Sequence, residues 1–271
     1  MNHLLRSLAP FGDAVWGLID DEARERLVPA LGARQLVDFS GPHGWEHSAT
    51  PLGRVEDVAT DQEGLVAQRR RSLAVVELRA PFTLSRAELA AGDRGAADVD
   101  FDNLDTAAVN LASRENSAVL HGWADAGMPG IGETSAEQTV HPPDEISSYP
   151  SAIAQAVERL LRNGVGGPYG LALSSRDYTR VVETAEHGGY PLVEHLREIL
   201  GGPLVWTPGI DGGVVLTLRG GDFLFESGQD ISVGYDSHDG EEVDLYLEES
   251  FAFRSVTPEA AVVVAPLARL S

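Results

Sequence analysis

The sequence predicts a mixed α+β protein, because helical and strand-like patterns alternate along its length. Apolar residues recur every three or four positions over residues 4–19, a spacing typical of an amphipathic helix. Short runs rich in β-branched residues, such as 214–218, lie close to glycines and are typical of strands. No segment repeats at a fixed period. We therefore expect a layered α+β fold rather than a repeat array.

The composition argues against two classes of partner. The chain of 271 residues has 42 acidic and 20 basic side chains, which gives a formal net charge of −22. Affinity for nucleic acid comes mainly from Lys and Arg at the phosphates, so this charge predicts no nucleic-acid partner. It also opposes anionic membrane surfaces, and no run approaches the ~20 apolar residues of a spanning helix. No membrane partner is expected.

The N-terminus and the cysteine content bear on the cellular compartment. Arg6 and Pro10 interrupt the N-terminal apolar run before it reaches the length of a secretory signal. Because cysteine is absent, disulfides, thiolate metal sites and cysteine nucleophiles are excluded. We expect a cytoplasmic protein.

The first element is predicted to be an amphipathic helix within residues 1–30, with a break or new start at Pro10. Its apolar face either packs on the protein's own core or forms a docking surface for another molecule. A short strand follows at residues 36–39 and ends in a turn at Gly41-Pro42.

A polar hairpin is predicted next. Two strand-like runs, 52–59 and 65–71, flank a polar connection, and neither carries enough apolar surface to bury itself. Such an arm stands off the body and leaves strand edges unpaired, which favours contact with a partner chain. The run Arg69-Arg70-Arg71 at its base either pairs with a neighbour's acidic surface or is simply exposed.

The remaining elements follow from the same patterns. We expect buried strands at 73–78 and 81–84, a long helix at 104–126 that ends at Gly127, and a polar loop at 134–150. A second region contains helices at 151–162, 176–186 and 192–200, strands at 169–173, 204–206 and 214–218, and a hairpin turn at Asp211-Gly212-Gly213. Tail strands are predicted at 223–225, 231–235, 243–247, 251–256 and 261–264.

The sequence contains no motif typical of a catalytic or metal-binding site. The glycine-rich segment 164–170 precedes a strand, whereas phosphate-binding loops follow a strand and open a helix. His43 and His47 have the spacing of a helical metal pair, but Pro42 and Gly44 oppose a helix there. His238-Asp239 fits a polar turn and has no serine motif nearby. We expect no enzyme activity, no cofactor and no metal.

The order of sequence blocks along the chain resembles that of the encapsulins, a family formerly described as linocin-type bacteriocins. The blocks that carry the resemblance are Leu8-Ala9-Pro10 with Trp16 and Ile19; Gly32-Ala33-Arg34 with Val37-Asp38-Phe39; Gly41-Pro42-His43-Gly44-Trp45-Glu46; Pro51-Leu52-Gly53; Pro81-Phe82-Thr83-Leu84 with Glu88-Leu89 and Arg94-Gly95; Gly167-Pro168-Tyr169; Gly189-Tyr190-Pro191; Arg219-Gly220-Gly221-Asp222-Phe223; residues 228–235; and Glu249-Ser250-Phe251-Ala252-Phe253.

The resemblance implies the Hong Kong 97-type fold of phage major capsid proteins. It divides the chain into the N-terminal helix and start of a peripheral domain (1–50), an extended loop (51–72), the peripheral domain with its spine helix (73–133), an axial domain (134–218) and a return to the peripheral domain (219–271). The predicted polar hairpin falls where the extended loop belongs.

The resemblance also implies function. Encapsulins are shell subunits that assemble into a hollow icosahedral cage, here expected to hold roughly sixty copies because that is the smallest icosahedral set. The cage encloses cargo that carries a terminal targeting peptide, such as a dye-decolorising peroxidase or a ferritin-like protein for iron storage or oxidative-stress defence. The alternatives are a secreted bacteriocin or protease-like antibacterial protein, and a true phage capsid subunit.

Two sites follow from the resemblance. Residues expected to contact the targeting peptide are Leu8, Phe11, Val15, Trp16, Ile19, Arg34, Val37, Asp38, Phe39, Asp230 and Ile231. Residues expected to line the fivefold pore are His187, Gly188, Gly189 and Tyr190.

Overall fold

The computed structural model describes residues 3–142, 145–185 and 189–267. The helices are α1 (Asp13–Ala30), α2 (Arg86–Asp93), α3 (Asp102–Leu120), α4 (Ile131–Thr134), α5 (Tyr149–Arg162), α6 (Ser175–Glu183) and α7 (Leu192–Leu200). The strands are β1 (Asp38–Ser40), β2 (Ala49–Val58), β3 (Ala67–Ala74), β4 (Val76–Ser85), β5 (Tyr169–Leu173), β6 (Leu204–Trp206), β7 (Gly213–Thr217), β8 (Phe223–Ser227), β9 (Ser232–His238), β10 (Glu242–Ser255) and β11 (Ala261–Val264).

The predicted N-terminal helix is present and has the predicted break. A short 3-10 turn at Arg6–Leu8 precedes it, and α1 begins after Gly12. Asp13 lies in the first turn, where a carboxylate interacts favourably with the helix dipole. The helix ends at Ala30, one residue after Pro29.

A five-stranded sheet contributes to both apolar cores, with Val233 and Leu245 in the first core and Phe225 and Phe251 in the second. Its order is β1-β8-β10-β4, and β9 also pairs with β10. Strand β10 was predicted as two strands, 243–247 and 251–256, and that prediction is wrong. Glu248 and Glu249 interrupt the apolar pattern, but both are buried within β10 because Arg79 and Arg34 pair with them. The ion pairs let one strand run through the polar positions.

Helices α1 and α3 pack together over the core that includes this sheet, with α2 against α1. The prediction that α3 continues to residue 126 is wrong. The helix ends at Leu120 because Gly122 has a φ of +104°, outside the helical region, and Trp123 then pairs with Met128 as a β-bridge.

A four-stranded sheet in the order β11-β7-β5-β6 forms the second core, which α5, α6 and α7 pack against. The predicted hairpin at Asp211-Gly212-Gly213 is wrong, because β5 lies between β6 and β7. The tail strands divide between the two sheets: β8, β9 and β10 belong to the five-stranded sheet, whereas β11 pairs with β7.

The predicted polar hairpin is formed by β2 and β3, which pair with each other as a separate two-stranded sheet. Arg69 forms an ion pair with Glu56 across this hairpin, so its partner here is in its own chain. Four apolar side chains of the hairpin remain exposed: Val55, Val58, Leu65 and Val66. Exposed apolar side chains on an extended arm are typical of a surface that another molecule covers.

The region predicted as a polar loop contains short helical turns at Ala136–Gln138 and Ile146–Ser148, and α5 begins at Tyr149. Helix α6 ends at Glu183, short of the predicted residue 186, which lies outside the described residues. Within the residues that the structure covers, no helix is long and apolar enough to cross a bilayer.

Candidate docking site

A groove of about 500 Å³ runs between α1 and the start of β9. Its apolar wall includes Ala23, Leu27 and Val28 from α1 and Leu31, the residue after it. Ile231, which immediately precedes β9, also lines the groove. Val28 is 62% exposed, whereas Ala23 and Leu27 are buried beneath it. We call this surface the α1–β9 groove. Its exposed apolar side chains lie beside charged groups, a composition that suits a short peptide.

A second depression adjoins the groove at its N-terminal end. Phe11 and Trp16 line it, and it shares Arg6 and Asp20 with the α1–β9 groove. The Arg6 guanidinium donates a 2.7 Å hydrogen bond to Asp20 and lies 4.1 Å above the Trp16 ring. The Arg6–Asp20 ion pair therefore lies at the boundary between the two depressions.

Arg34 borders the other end of the groove and is held by three carboxyl groups. Its Nε and one terminal nitrogen lie 2.7 and 2.6 Å from Glu115 Oε2, and the same terminal nitrogen is 2.8 Å from Glu249 Oε2. The other terminal nitrogen is 2.6 Å from Asp230 Oδ1. Burial opposes the charge of Arg34, but Glu115 and Glu249 outweigh burial and raise the pKa of the guanidinium group. Arg34 is thus always protonated, and its guanidinium group forms ion pairs within its own chain.

Three predicted peptide contacts lie in the protein's own core. Val15, Trp16 and Ile19 are 1%, 5% and 0% exposed and pack with Leu104, Ala108 and strand residues of the first core. Because burial removes Val15 and Ile19 from the surface, they are wrong as direct contacts. Trp16 still lines the second depression. Most of this apolar face of α1 therefore packs on the protein's own core, as the first of the two alternatives predicted.

The other predicted contacts from the N-terminal segment and β9 are accessible. Leu8 is 60% exposed, and Phe11 is half-buried with its ring 4.9 Å from that of Trp16. Ile231 and Asp230 line the α1–β9 groove, and the Asp230 side chain is 46% exposed.

Val37, Asp38 and Phe39 lie at and just before the edge strand β1 rather than in the α1–β9 groove. Val37 and Asp38 line a separate depression of about 190 Å³, and Asp38 accepts a 2.6 Å hydrogen bond from the backbone of Gly221. Phe39 is 39% exposed and lies 5.2 Å from the Arg34 guanidinium carbon. Phe39 therefore adjoins the Arg34 end, while Val37 and Asp38 serve another surface.

The sequence prediction missed Leu27, Val28 and Leu31, which form the apolar wall of the groove. The signal was present, because Val28 and Leu31 are apolar residues on either side of Pro29, close to the predicted helix end. A second apolar face at the end of an amphipathic helix is a reason to expect a partner there.

Of the predicted pore residues, His187 and Gly188 lie outside the described residues. Gly189 has a φ of +82°, and the hydroxyl group of Tyr190 donates a 3.0 Å hydrogen bond to Glu198. Tyr190 is 42% exposed.

Two further polar motifs of the sequence lie outside the α1–β9 groove. His43 and His47 have ring centroids 4.9 Å apart, and no group of three or more potential metal ligands occurs in the part of the chain that is described. The Asp239 carboxylate accepts backbone hydrogen bonds from Glu241 and Glu242, which confirms the turn prediction, and these bonds lower the pKa of Asp239.

Comparison with known proteins decides the family. The family described as "Encapsulating protein for peroxidase" matches residues 1–252. The type 1 encapsulin shell protein of Rhodospirillum rubrum is 44% identical, with 100% of this chain and 98% of the relative covered. The chain belongs to the encapsulin family of shell proteins.

Other encapsulins agree with this assignment. The type 1 encapsulin shell protein of Mycobacterium tuberculosis is 40% identical over 97% of this chain and 99% of its own length. A protein of Pyrococcus furiosus named ferritin-like-encapsulin shell fusion protein is 26% identical over 50% of this chain and 38% of its own length. The family consists of structural shell proteins.

Solved structures confirm the Hong Kong 97-type fold predicted for this encapsulin. The virus-like particle from Pyrococcus furiosus matches with a TM-score of 0.62 at 20% identity, covering 94% of this chain and 100% of that one. The structure titled Mycobacterium phage Bobi matches with a TM-score of 0.56 at 14% identity, covering 87% and 90%.

Proposed function

We propose that this encapsulin is the subunit of a hollow icosahedral compartment of roughly sixty copies in the cytoplasm, the smallest number that closes such a shell. The observation that carries the proposal is the β2–β3 hairpin. It pairs only with itself among the described residues and exposes Val55, Val58, Leu65 and Val66. A neighbouring copy that covers the arm would bury these side chains and pair its open edges.

The compartment has an enclosing role and no catalytic role of its own. The α1–β9 groove faces the interior and takes the terminal targeting peptide of a cargo protein. Apolar peptide side chains pack against Val28, Leu31 and Ile231, while Asp230 accepts hydrogen bonds at one end. The second depression, beside Phe11, extends the binding surface past Arg6 and Asp20. Many weak sites in one closed shell retain cargo through multivalency and confinement.

The cargo is an enzyme of oxidative-stress defence or iron storage, such as a dye-decolorising peroxidase or a ferritin-like protein. The family description names a peroxidase, and a relative is named as a fusion with a ferritin-like protein. The loop that includes Gly189 and Tyr190 surrounds the fivefold pore through which small substrates reach the cargo.

Shell formation is tested by light scattering coupled to size-exclusion chromatography, followed by electron microscopy of the same fraction. The expected result is a particle of megadalton mass with the outline of a round cage. A monomer or dimer of this 28.9 kDa chain under all mild conditions would reject the proposed function.

Cargo docking is tested with Val28→Asp, which places a charge on the apolar wall. Particles of this variant, purified from the native host, should carry less co-purifying cargo by mass spectrometry than wild-type particles. Val256→Asp is the matched control, because Val256 is 52% exposed and does not line the groove. Equal cargo in both variants and the wild type would place the docking site elsewhere.

A further inference from the structure

Two buried carboxyl groups lie behind the Arg34 end of the α1–β9 groove. The side chains of Glu115 from α3 and Glu249 from β10 are 0% and 1% exposed, and both contact the same terminal nitrogen of Arg34. Asp230, which precedes β9, contacts the other terminal nitrogen and is half exposed. One guanidinium group therefore faces three carboxyl groups from three parts of the fold.

If every carboxyl group of this cluster is ionised, two of the buried oxygen atoms have no hydrogen-bond donor in the described part of the chain. Oε1 of Glu115 and Oε1 of Glu249 are both buried and have no hydrogen-bond donor among the described residues. The Oε2 atoms of both side chains lie 2.6 and 2.8 Å from the same terminal nitrogen of Arg34, which places the two carboxyl groups next to each other. Two ionised carboxylates have no proton to donate in a hydrogen bond, and their charges repel each other in a buried site. If one of them is protonated, its O–H group can donate a hydrogen bond to the other.

The charges do not balance either. Arg34 supplies one positive charge, and Glu115, Glu249 and Asp230 would supply three negative charges. The aromatic rings of Phe39 and Phe225, whose centres lie 5.2 and 5.1 Å from the guanidinium carbon, add no formal charge. A single added proton would leave one buried carboxylate for Arg34 and one solvated carboxylate at Asp230.

We propose that Glu115 and Glu249 share one proton, and that this proton is a structural part of the joint between α3, β10 and Arg34. It converts two repelling buried groups into a hydrogen-bonded pair, and Arg34 then links that pair to Asp230 at the groove. The proposal concerns the subunit itself and does not depend on the identity of the cargo or on peptide docking.

The joint loses its proton as the pH rises. Burial and the neighbouring charge of Glu115 raise the pKa of Glu249 well above its ordinary value, despite the opposite effect of Arg34. Between the unfolded and the folded pKa, the folded chain binds more protons than the unfolded chain, so stability falls as the pH rises through that window. Release of the proton places a second negative charge in the core beside Arg34.

The first test detects the proton directly. At neutral pH, infrared spectra of the assembled wild-type protein should contain the C=O stretch of a protonated carboxyl group, because solvated carboxyl groups are ionised there. The band should be absent from Glu249→Gln and from Glu115→Gln and present in Asp230→Asn, the control at the exposed partner of the same arginine. A wild-type spectrum without the band, or a band retained in both Gln variants, would overturn the proposal.

The second test follows thermal stability from neutral to alkaline pH. The wild-type Tm should fall by a few degrees over this range, while Glu249→Gln should keep a constant Tm, since its carboxamide donates to Glu115 at every pH. Asp230→Asn should follow the wild-type slope. Equal slopes for Glu249→Gln and the wild type would contradict the shared proton. If Glu249→Gln does not fold, the shared proton is tested by the infrared band of the wild type and by the loss of that band in Glu115→Gln.

Discussion

The side-chain amide of Asn116 donates a 2.8 Å hydrogen bond to the carbonyl oxygen of Ala30, the last residue of α1. The same side chain donates to Pro208 at 3.0 Å and accepts from the backbone of Ala33 at 2.9 Å. Asn116 is fully buried, so one residue of α3 satisfies backbone groups from three separate positions.

We predict that Asn116→Ala destabilises the subunit by about 3 kcal/mol, because it leaves three buried backbone groups without partners. The measurement is the shift in denaturant midpoint. Asn103→Ala is the control. Asn103 makes one exposed hydrogen bond to Thr83, and its loss should cost less than about 1 kcal/mol. Similar midpoints for the two variants would contradict the bridging role of Asn116.

Ile19→Ala tests the assignment of the inner face of α1 to the core. Ile19 is completely buried, so its truncation should cost about 2–5 kcal/mol. Val28→Ala on the outer face should change stability by about 0.5 kcal/mol or less, because Val28 is mostly exposed. Denaturant unfolding of both variants makes the comparison. A small effect at Ile19 would contradict its assignment to the core.

Val66→Asp tests the hairpin as the contact between subunits. Val66 is 86% exposed, so the substitution should leave the subunit folded by circular dichroism while light scattering shows fewer complete particles. Val66→Ile keeps an apolar β-branched side chain and should assemble like the wild type. Normal particles from Val66→Asp would show that the tip of the arm is not covered in the shell.

The environment of His121 predicts that the subunit loses stability as the pH falls. The backbone N–H of Asp211 donates a 3.0 Å hydrogen bond to His121 Nε2, which must therefore be unprotonated. Burial lowers the pKa of His121, although Asp211 opposes the shift. The unfolded state therefore binds the His121 proton more tightly than the folded state. The stabilisation of the folded state by neutral His121 is complete above the unfolded pKa of about 6.5, and it is lost as the pH falls through the lowered pKa of the folded state.

His121→Gln keeps an acceptor for Asp211 and cannot become charged, so its denaturant midpoint should fall less on acidification than that of the wild type. His141→Gln changes an exposed histidine and serves as the control. Parallel profiles for His121→Gln and the wild type would show that His121 does not contribute to acid sensitivity.

Local sequence patterns predicted four short elements of the fold best. The bounds of β5, β6, β11 and α7 agree with the predictions, because glycine or proline residues lie close to one or both ends of these apolar runs. Errors arose where tertiary contacts decide. The continuity of β10 depends on Arg34 and Arg79, and the absence of a hairpin after β6 depends on the position of β5.

The candidate site shows the same limit. The spacing of Val15, Trp16 and Ile19 identified a genuine apolar face of α1, but helical periodicity does not say which of two apolar faces meets the core. The groove also needs Arg34 and Asp230 next to each other, although they are far apart in the chain. The ion pair is set by the packing of β8, β9 and β10, which a local pattern does not contain.

The placement of β11 links folding to the completion of synthesis. Strand β7 pairs with β5 on one side and with β11 on the other, and β11 is the last strand along the described chain. A ribosome that stalls before Ala261 releases a polypeptide with one edge of β7 bare and the second core open. Truncated products thus expose an open strand edge and apolar surface, the features of incomplete chains that chaperones bind.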